Sequence, residues 1–393
     1  MKASSARQRF IYVCNVFESK TLALRGVSTY SPAASGKVIR ICQALRRESV
    51  DAWIVSLGRR RQNSSGRVYS GRAVRDGATP LLYLLFCDLP ILTHLVSAFS
   101  LCMALWRLRR ERATIVFYNH LPHYVPGLVV ARIFLRATCV LDLEDGYSAD
   151  EVWHRRLINR SLLRIYNFLC GDVALVANSR LREQVSARRA VICYGVAPAV
   201  RVPDRPWSGN IQVLFSGALM KETGVAQFLG ALEILSTRHP EVFQRFRFVV
   251  TGFGEGAEDI RAAAAERYPG ILDYRGMVRW ADYRSLLEQS HVGLCLKIPG
   301  YSLADTTFPS KVIEMAAYGL LVTSNRVSDV PLVLPDDCAF LLESADAESL
   351  AAALVQIARD PERAAETAAR GQRRITSRMS PESVAADLKT LWA

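Results

Sequence analysis

A lysine and a glutamate near the start of a predicted helix have the clearest chemistry in this chain. They are Lys311 and Glu314, in the segment TTFPSKVIEMAAYG (306–319). Pro309 and Ser310 just before them predict a helix start, with the serine as the capping residue. At about 100° per residue, the side chains of Ser310, Lys311 and Glu314 share one face of that helix, and the opposite face is apolar.

This arrangement predicts a site for a diphosphate next to a ribose. The free N–H groups of a helix start, its dipole and the Lys311 ammonium attract an anion. One turn further, the Glu314 carboxylate can accept two hydrogen bonds from vicinal ribose hydroxyls, each worth about 1.5–3 kcal/mol. The alternative is an ordinary surface pair of opposite charges three residues apart.

A glycine-rich segment, TGFGEGA (251–257), offers a competing chemistry. It reads G-x-G-x-x-A after a predicted strand, and Asp273 follows Gly252 by 21 residues. This spacing is typical of dinucleotide binding and indicates an NAD-dependent oxidoreductase as an alternative. Against it, the motif lies behind a complete βα unit and leaves the FPSK helix start without a role.

In the first half, two acidic side chains end a predicted strand in LDLEDGYSAD (141–150). Glu144 and Asp145 could bind sugar hydroxyls or assist their deprotonation, or they could simply cap a helix. Asn119, His120 and His123, in FYNHLPHYVPG, are expected to face the same cleft. Two histidines without a third ligand nearby predict no metal site.

The elements that must position these residues alternate between short apolar runs and amphipathic segments. This alternation predicts an α/β chain with two Rossmann-like, doubly wound parallel-sheet domains facing a cleft, since open sheets bind ligands at the carboxyl ends of their strands. The expected boundaries are 1–200 for the first domain and 201–375 for the second. Residues 376–393 are expected to form a helix that packs back toward the first domain.

Charge and cysteine content narrow the cellular setting. Residues 1–205 hold 31 Lys and Arg against 14 Asp and Glu, a net of +17, and residues 206–393 hold 19 against 23. A basic first half predicts an anionic partner, either nucleic acid or a membrane surface. The nine cysteines are odd in number, scattered and without CxxC, which is typical of reduced thiols in a cytosolic protein. The N-terminal RFIYVCNV is predicted to be a strand and not a signal peptide.

An apolar stretch, residues 80–106, bears on the choice of partner, and the basic run RLRRER (107–112) follows it. Asp88, Pro90 and His94 interrupt it, which argues against a single membrane span. Two alternatives are favoured over a true span, which stays open as the third: two buried helices meeting at residues 88–90, or a helix pair in the membrane interface beside a basic collar. The aromatic and basic interleaving of an RNA platform is missing, so lipid is favoured over nucleic acid. We therefore expect a cytoplasmic protein, peripheral at the inner face of the cell membrane.

Five segments, in order and with ordinary spacing, resemble the C-terminal domain of family 4 glycosyltransferases. That resemblance implies the GT-B fold and a retaining, nucleotide-sugar-dependent enzyme. The first half is similar more loosely, through SPAASGKVIRICQALRRESVDAWIVSL, VALVANSRLREQV and VICYGV. The segments of the second half are FSGALMKETGVAQFLGALEIL, FRFVVTGFGEG, ILDYRGMV, SLLEQSHVGLCL and FPSKVIEMAAYGLLVTSN.

The resemblance assigns roles on the donor side. Glu314 takes the place of the ribose-binding glutamate, and Lys221 and Lys311 would stabilise the departing phosphate. The remaining donor positions lie under the diphosphate, along the cleft, beside the base and around the helix start: Gly217, Ala218, Gly252, Gly254, Met277, Thr306, Thr307 and Ser310. No metal or cofactor is expected, and the donor would be linked to UDP or GDP.

Three positions depart from the family pattern. Thr306 stands where the family has its first glutamate, with Asp305 one residue out of register. Ala218 replaces an arginine and Thr223 a lysine. On the acceptor side, the resemblance implicates Ser31, Ser35 and Gly36, expected before the first helix. Asn119 and His120 join them as acceptor candidates because of their place at the end of the strand ATIVFYN.

The function predicted is therefore sugar transfer from a nucleotide diphosphate to a saccharide or lipid-linked saccharide, in cell-surface polysaccharide assembly. The departures favour one alternative, a degenerate GT-B domain that binds nucleotide or serves as a scaffold at the membrane. The NAD-dependent oxidoreductase is the further alternative.

Overall fold

The computed structural model describes residues 9–27, 31–58, 66–108, 113–146, 152–301, 304 and 306–391. The chain divides into two units. Unit 1 combines residues 1–196 with 381–393, and unit 2 is residues 197–380.

The strands of unit 1 are β1 (Arg9–Cys14), β2 (Asp51–Ser56), β3 (Val68–Tyr69), β4 (Arg72–Asp76), β5 (Thr79–Tyr83), β6 (Phe86–Cys87), β7 (Ala113–Tyr118), β8 (Thr138–Leu143), β9 (Val173–Val176) and β10 (Arg189–Ile192). Eight of them form one sheet in the order β10-β9-β8-β7-β1-β2-β5-β4, and β3 and β6 form a separate two-stranded sheet. In the large sheet all neighbours pair in parallel except β4, which runs antiparallel to β5. The central strands are apolar runs buried on both faces, as parallel sheets require.

Helices cover the sheet of unit 1. Three of them contribute to one buried core together with the sheet: α3, α4 and α5. The helices up to residue 170 are α1 (Ser19–Arg25), α2 (Pro32–Arg47), α3 (Leu92–Arg107), α4 (Val125–Val129) and α5 (Trp153–Cys170), and a π-helical turn, Val130–Phe134, continues α4.

Unit 2 has a six-stranded, all-parallel sheet in the order β13-β12-β11-β14-β15-β16. Its strands are β11 (Ile211–Ala218), β12 (Phe246–Phe253), β13 (Leu272–Tyr274), β14 (Val292–Cys295), β15 (Leu321–Asn325) and β16 (Phe340–Leu342). Its helices are α6 (Val225–Arg238), α7 (Pro240–Phe243), α8 (Ala257–Ala262), α9 (Trp280–Gln289), α10 (Lys311–Ala317), α11 (Val330–Val333), α12 (Ala347–Arg359) and α13 (Pro361–Arg378). The predicted pair of Rossmann-like parallel-sheet domains is confirmed.

The apolar stretch 80–106 corrects a prediction. Its first part is strand, not helix: β5 pairs in parallel with β2, and β6 pairs with β3. Only the part after Pro90 is helical, as α3. A short run that is apolar on every side lacks a period, so strand and helix look alike in sequence. Within the described residues, no helix is long and apolar enough to cross a membrane.

The end of the chain also differs in detail from the expected segment 376–393. Residues 376–378 still belong to α13, in unit 2, whose N-terminal Asp360 side chain accepts a hydrogen bond from Arg363 N. The last helix, α14 (Pro381–Lys389), belongs to unit 1 and packs on α2. An ion pair from Lys389 to Glu48, 2.8 Å long, supports that packing.

Candidate functional site

Two glycines bring the carboxyl ends of β11 and β12 into close contact. Gly217 and Gly252 are paired in register, and both have left-handed φ values, 119° and 144°. A Cβ on Gly252 would lie 1.8 Å from the Gly217 carbonyl oxygen, and a Cβ on Gly217 would lie 2.3 Å from Lys311 Nζ. Only glycine fits either position. The two strand ends therefore form a floor of bare backbone with one ammonium group directly over it.

Lys311 is held at this floor by its surroundings. Its Nζ donates a 3.1 Å hydrogen bond to Ser216 Oγ and lies 5.9 Å from the centre of the Tyr283 ring. Burial lowers the pKa of Lys311 to about 8, against the opposing influence of the Glu314 carboxylate. At neutral pH the group is therefore mostly charged, yet poorly solvated, and an anionic ligand would stabilise it.

Glu314 lies one turn further along α10, and Tyr283 fixes its position. The Tyr283 hydroxyl donates to Glu314 Oε2 at 3.2 Å and lies 3.3 Å from Ser216 Oγ. Burial, followed by the Glu314 charge, raises the pKa of Tyr283, so the phenol keeps its proton and can donate it in a hydrogen bond. On the other side of α10, Met315 packs against Gly293, where a Cβ would be 2.6 Å from Met315 Sδ. The apolar face thus anchors the helix and leaves Lys311 and Glu314 at the strand ends, as the sequence predicts.

Ser310 corrects a detail of that prediction. It occupies the position before α10 but has helical backbone angles and forms no side-chain capping hydrogen bond. The helix is only seven residues long. The positive charge at this place therefore resides mainly in lysine side chains.

A second lysine, Lys297, follows β14 and was missed in the sequence. Its Nζ donates to Thr307 Oγ1, one of the predicted donor residues, and its carbonyl accepts from Asn325 Nδ2 at 2.9 Å. Burial raises the pKa of Cys295, and the charges of Lys297 and Lys311 both act to lower it. Both lysines thus lie near the end of β14. The only sequence signal was a basic residue directly after a buried strand.

The turn after β11 contains Ala218 and Thr223, two positions that depart from the family pattern. Thr223 braces the turn, because its Oγ1 donates to the Ala218 carbonyl at 2.7 Å and accepts from Met220 N at 2.9 Å. Lys221 is exposed on this turn and borders a cavity of about 690 Å³ together with Tyr301. Within the described part of the chain, nothing bonds to its ammonium group, and no contact joins it to Lys311. The two predicted phosphate ligands are thus not in direct contact with each other.

Three further donor predictions lie nearby. Gly254 has no room for a side chain, since a Cβ would be 2.4 Å from the Leu219 carbonyl oxygen. The Gly276 carbonyl accepts from Gly252 N at 2.9 Å, so it braces the strand ends, and Met277 next to it is 66% exposed. Thr306 is half-buried. Asp305 lies outside the described residues.

In unit 1, a buried ion pair lies at the carboxyl ends of the strands. Lys37 Nζ donates to Glu144 Oε1 and, at 2.6 Å, to the Cys193 carbonyl. Burial raises the pKa of Glu144 to about 8, against the pull of Lys37. Burial alone would lower the pKa of Lys37, but the Glu144 and Asp142 carboxylates outweigh it and raise that pKa. Lys37 lies inside a helix and was not predicted.

Asn119 connects the predicted acidic residues. Its side-chain oxygen accepts from the backbone N–H groups of Glu144 at 2.8 Å and Asp145 at 3.0 Å, and its Nδ2 donates to Asp145 Oδ2 at 2.9 Å. Its φ of 59° is left-handed, which asparagine tolerates better than most residues. Asp145 is exposed, whereas the Glu144 side chain is only 15% exposed and is paired with Lys37. Asp145 is therefore the carboxylate that a ligand can reach.

The histidines form a separate pair. His123 Nδ1 lies 3.4 Å from His94 Nδ1, and burial followed by the His94 charge lowers the pKa of His123 to about 4. His120 is half-buried beside Asn119. In the described ranges, no group of three or more His, Cys, Asp or Glu residues could hold a metal ion.

Of the three acceptor residues predicted to precede the helix GKVIRICQALRRE, Ser31 does so, whereas Ser35 and Gly36 do not. Ser31 is the N-cap of α2, accepting from Ala34 N at 3.2 Å, and Ser35 and Gly36 are inside that helix. Serine followed by Pro32 at the first helical position is the usual start signal, so the helix begins four residues before Gly36. The Ser35 side chain is buried inside the protein. The neighbouring Lys37 is the residue of this segment that reaches the acidic cluster.

Comparison with known proteins gives sequence similarities to glycosyltransferases. A family described as "Glycosyl transferase-like" matches residues 230–390, less than half of the chain. A phosphatidylinositol N-acetylglucosaminyltransferase subunit of Arabidopsis thaliana is 28% identical over 248 residues, covering 60% of this chain and 52% of that protein. The Homo sapiens protein of the same name is 26% identical over 196 residues, covering 48% of this chain and 37% of that protein. The chain thus spans about half, or less, of these curated relatives.

Solved structures cover the whole chain at low sequence identity. HepE of Anabaena in complex with UDP-glucose has a TM-score of 0.67 at 14% identity, with 98% of this chain and 99% of that chain covered. An E. coli trehalose-6-phosphate enzyme structure with UDP-2-fluoro glucose has a TM-score of 0.67 at 12% identity, with 98% of both chains covered. At such identities the likeness shows the fold alone. This chain has the GT-B fold, and its C-terminal part is similar in sequence to glycosyltransferases.

Proposed function

We propose that this chain is a retaining glycosyltransferase that moves a sugar from a UDP-sugar to a lipid-linked acceptor, in the assembly of a cell-surface glycan. The observation that carries the proposal is the site at the ends of β11 and β12. There Lys311 lies over the Gly217 and Gly252 backbones, and Tyr283 presents Glu314 one turn away. This order matches a nucleoside diphosphate, because the Lys311 cation would bind the diphosphate and the Glu314 carboxylate would bind the ribose next to it.

The donor and the acceptor are proposed from the chemistry and from the relatives. Several solved neighbours contain UDP or a UDP-sugar and one contains ADP, which makes uridine the first base to test. The curated relatives act, by name, on phosphatidylinositol with N-acetylglucosamine, which favours a lipid acceptor and makes UDP-N-acetylglucosamine the first donor to test.

In the proposed reaction the acceptor hydroxyl attacks the anomeric carbon from the face that the phosphate leaves. The C–O bond to the phosphate breaks, the new glycosidic bond forms on the same face, and the hydroxyl proton passes to the departing UDP. Lys311, with Lys297 nearby, stabilises the charge that develops on this diphosphate. We assign hydroxyl binding on the acceptor side to Asp145, held by Asn119, and expect no metal or cofactor.

Unit 1 also carries a surface suited to a membrane. Apolar side chains are exposed along the outer sides of α3, the turn 130–134 and α5, all of which pack on one core. Arginines are interleaved with them on α5, namely Arg155, Arg156, Arg160 and Arg164. We define this apolar outer surface by Leu92, Leu95, Phe99, Trp106, Phe134, Trp153, Leu157, Ile158 and Phe168, each at least 43% exposed.

A surface of this composition would bury its apolar side chains in the acyl boundary while arginines meet anionic headgroups. We therefore propose that the protein is peripheral at the cytoplasmic face of the membrane and does not bind nucleic acid. Flotation with anionic vesicles should show binding that weakens at high salt and in Leu95→Asp. Leu24→Asp, an equally exposed leucine on α1, is the matched control. Absence of salt-sensitive binding would overturn this part.

Turnover tests the enzymatic proposal. UDP release and labelled-lipid formation should be measured with UDP-N-acetylglucosamine, UDP-glucose and a phosphatidylinositol-containing lipid extract. Lys311→Ala should abolish transfer, and Glu258→Ala, an exposed acid on α8, should not. NMR of the product should show the anomeric configuration of the donor. UDP binding without turnover would support a degenerate GT-B scaffold, and NAD binding alone would support the dinucleotide alternative.

A further inference from the structure

A cavity of about 570 Å³ lies in unit 1, between α3 and one face of the sheet. Its walls are mainly apolar, with residues of β1, β2 and β5 on one side and of α3 on the other. Representative lining residues are Ile11, Val55, Leu82, Phe99 and Met103. The volume falls in the range of about 300–1,000 Å³ that is typical of small-molecule sites.

Three polar groups at this cavity, those of Arg9, Trp53 and Ser100, are already hydrogen-bonded to the protein. Arg9 Nε donates to Asp51 at 2.9 Å, and Trp53 Nε1 donates to the same carboxylate at 2.9 Å. Ser100 Oγ donates to the Leu85 carbonyl at 3.0 Å. A polar ligand in this cavity would lose its hydrogen bonds to water without gaining hydrogen bonds to these groups, whereas a hydrocarbon chain has no hydrogen bonds to lose.

The cavity opens at the apolar outer surface. Phe99 and Met103 line it from α3, yet they are 65% and 38% exposed. Leu92 and Leu95 extend the same exposed side of α3, and the exposed Arg107 borders the cavity at the end of the helix. A chain leaving a membrane would thus pass from apolar surroundings directly into the cavity, with a cation near its headgroup.

We propose that this cavity binds one hydrocarbon chain of an anionic membrane lipid, which enters past Phe99 and Met103. The proposal rests on the proposed membrane association and adds a defined single-lipid site to it. The lining lies at the sheet face beneath α3, whereas the Glu144 and Asp145 cluster lies at the carboxyl ends of the strands. The bound lipid is therefore an anchor and not the acceptor.

Monomeric lysophosphatidylglycerols of increasing chain length test the site on the full-length protein by calorimetry. Each added CH₂ that enters the cavity should tighten binding about fourfold, and the gain should stop once the cavity is filled. The stoichiometry should be one lipid per chain. Ala104→Met, which fills the cavity from α3, should weaken binding and shorten the optimal chain.

Leu95→Ala is the matched control, because it changes the exposed side of α3 outside the cavity lining. It should weaken vesicle binding but leave the plateau with chain length in place. Any of three results would overturn the proposal. They are the absence of saturable lysophosphatidylglycerol binding, an affinity that keeps rising with chain length, and equal binding by Ala104→Met and the original chain. Vesicle binding and UDP binding are measured separately, so a failure of the cavity is distinguishable from a failure of the proposed function.

Discussion

The affinity for UDP should fall as pH rises through 8, because Lys311 must be charged to bind a diphosphate. Burial between Ser216 and the Gly217 backbone lowers its pKa to about 8, so raising the pH removes the charge in the free protein. With that pKa, about 90% of the molecules carry the charge at pH 7 and about 10% at pH 9. If only the charged form binds, the apparent Kd should rise about tenfold between these two values.

Isothermal calorimetry of UDP across this pH range is the assay, because the uptake of a proton on binding near pH 8 is measured in the same experiment. Lys311→Arg should bind with little change across the range, since a guanidinium remains charged throughout. Lys221→Arg, which alters an exposed lysine, should keep the dependence of the original chain. A flat profile in the original protein, or an equal slope in Lys311→Arg, would refute the assignment of the anion site to Lys311.

Three further substitutions probe the supports of the two clusters. Tyr283→Phe removes the hydrogen bond to Glu314 and should weaken UDP binding by about two- to tenfold in calorimetry, since such a bond contributes about 0.5–1.5 kcal/mol. Gly252→Ala places a Cβ against the Gly217 carbonyl and should lower the unfolding free energy of unit 2 by roughly 4 kcal/mol or more in denaturant titration. Lys37→Met removes the ammonium that pairs with Glu144, whose carboxyl group then takes up a proton, and should cost roughly 1–3 kcal/mol of stability in the same assay.

Each of these has a matched control. Tyr166→Phe removes a comparable 2.7 Å hydrogen bond in unit 1 and should leave UDP affinity unchanged. Gly209→Ala meets no atom within 4 Å and should be close to neutral. Lys389→Met breaks a partly exposed ion pair and should cost less than about 1 kcal/mol. Equal effects in a variant and its control would contradict the role given to that residue.

Much of the fold followed from the sequence because it depends on local patterns. Short apolar runs alternate with amphipathic segments along both units, so most strands and helices were predictable. The apolar and polar faces of α10 have a helical period, so the neighbouring Lys311 and Glu314 were predictable as well. The stretch 79–87 was not, because a run without polar residues has no period. The first turn of α2 was missed although Ser31 and Pro32 signal it, since the loose resemblance drew the helix start toward Gly36.

The partners of the site residues were not predictable from local patterns. Tyr283 lies 31 residues before Glu314 on a different helix, and Lys37 lies 107 residues before Glu144. Which polar side chain of an amphipathic helix meets a given strand end depends on sheet order and helix packing. Sheet order and helix packing depend on contacts between residues that are far apart in the sequence, and local patterns do not reveal such contacts. Lys297 was likewise not predictable, because one basic residue after a buried strand has no distinguishing pattern.

UDP binding to the original chain and to Glu314→Ala, measured by calorimetry with GDP, ADP and NAD as competitors, is the direct test of the ribose-diphosphate site. We expect saturable UDP binding that weakens by roughly tenfold or more in Glu314→Ala, because at least one charge-assisted bond of about 1.5–3 kcal/mol to the ribose is lost. Glu258→Ala should bind like the original. Unchanged UDP affinity in Glu314→Ala, or binding of NAD alone, would contradict the ribose-diphosphate site.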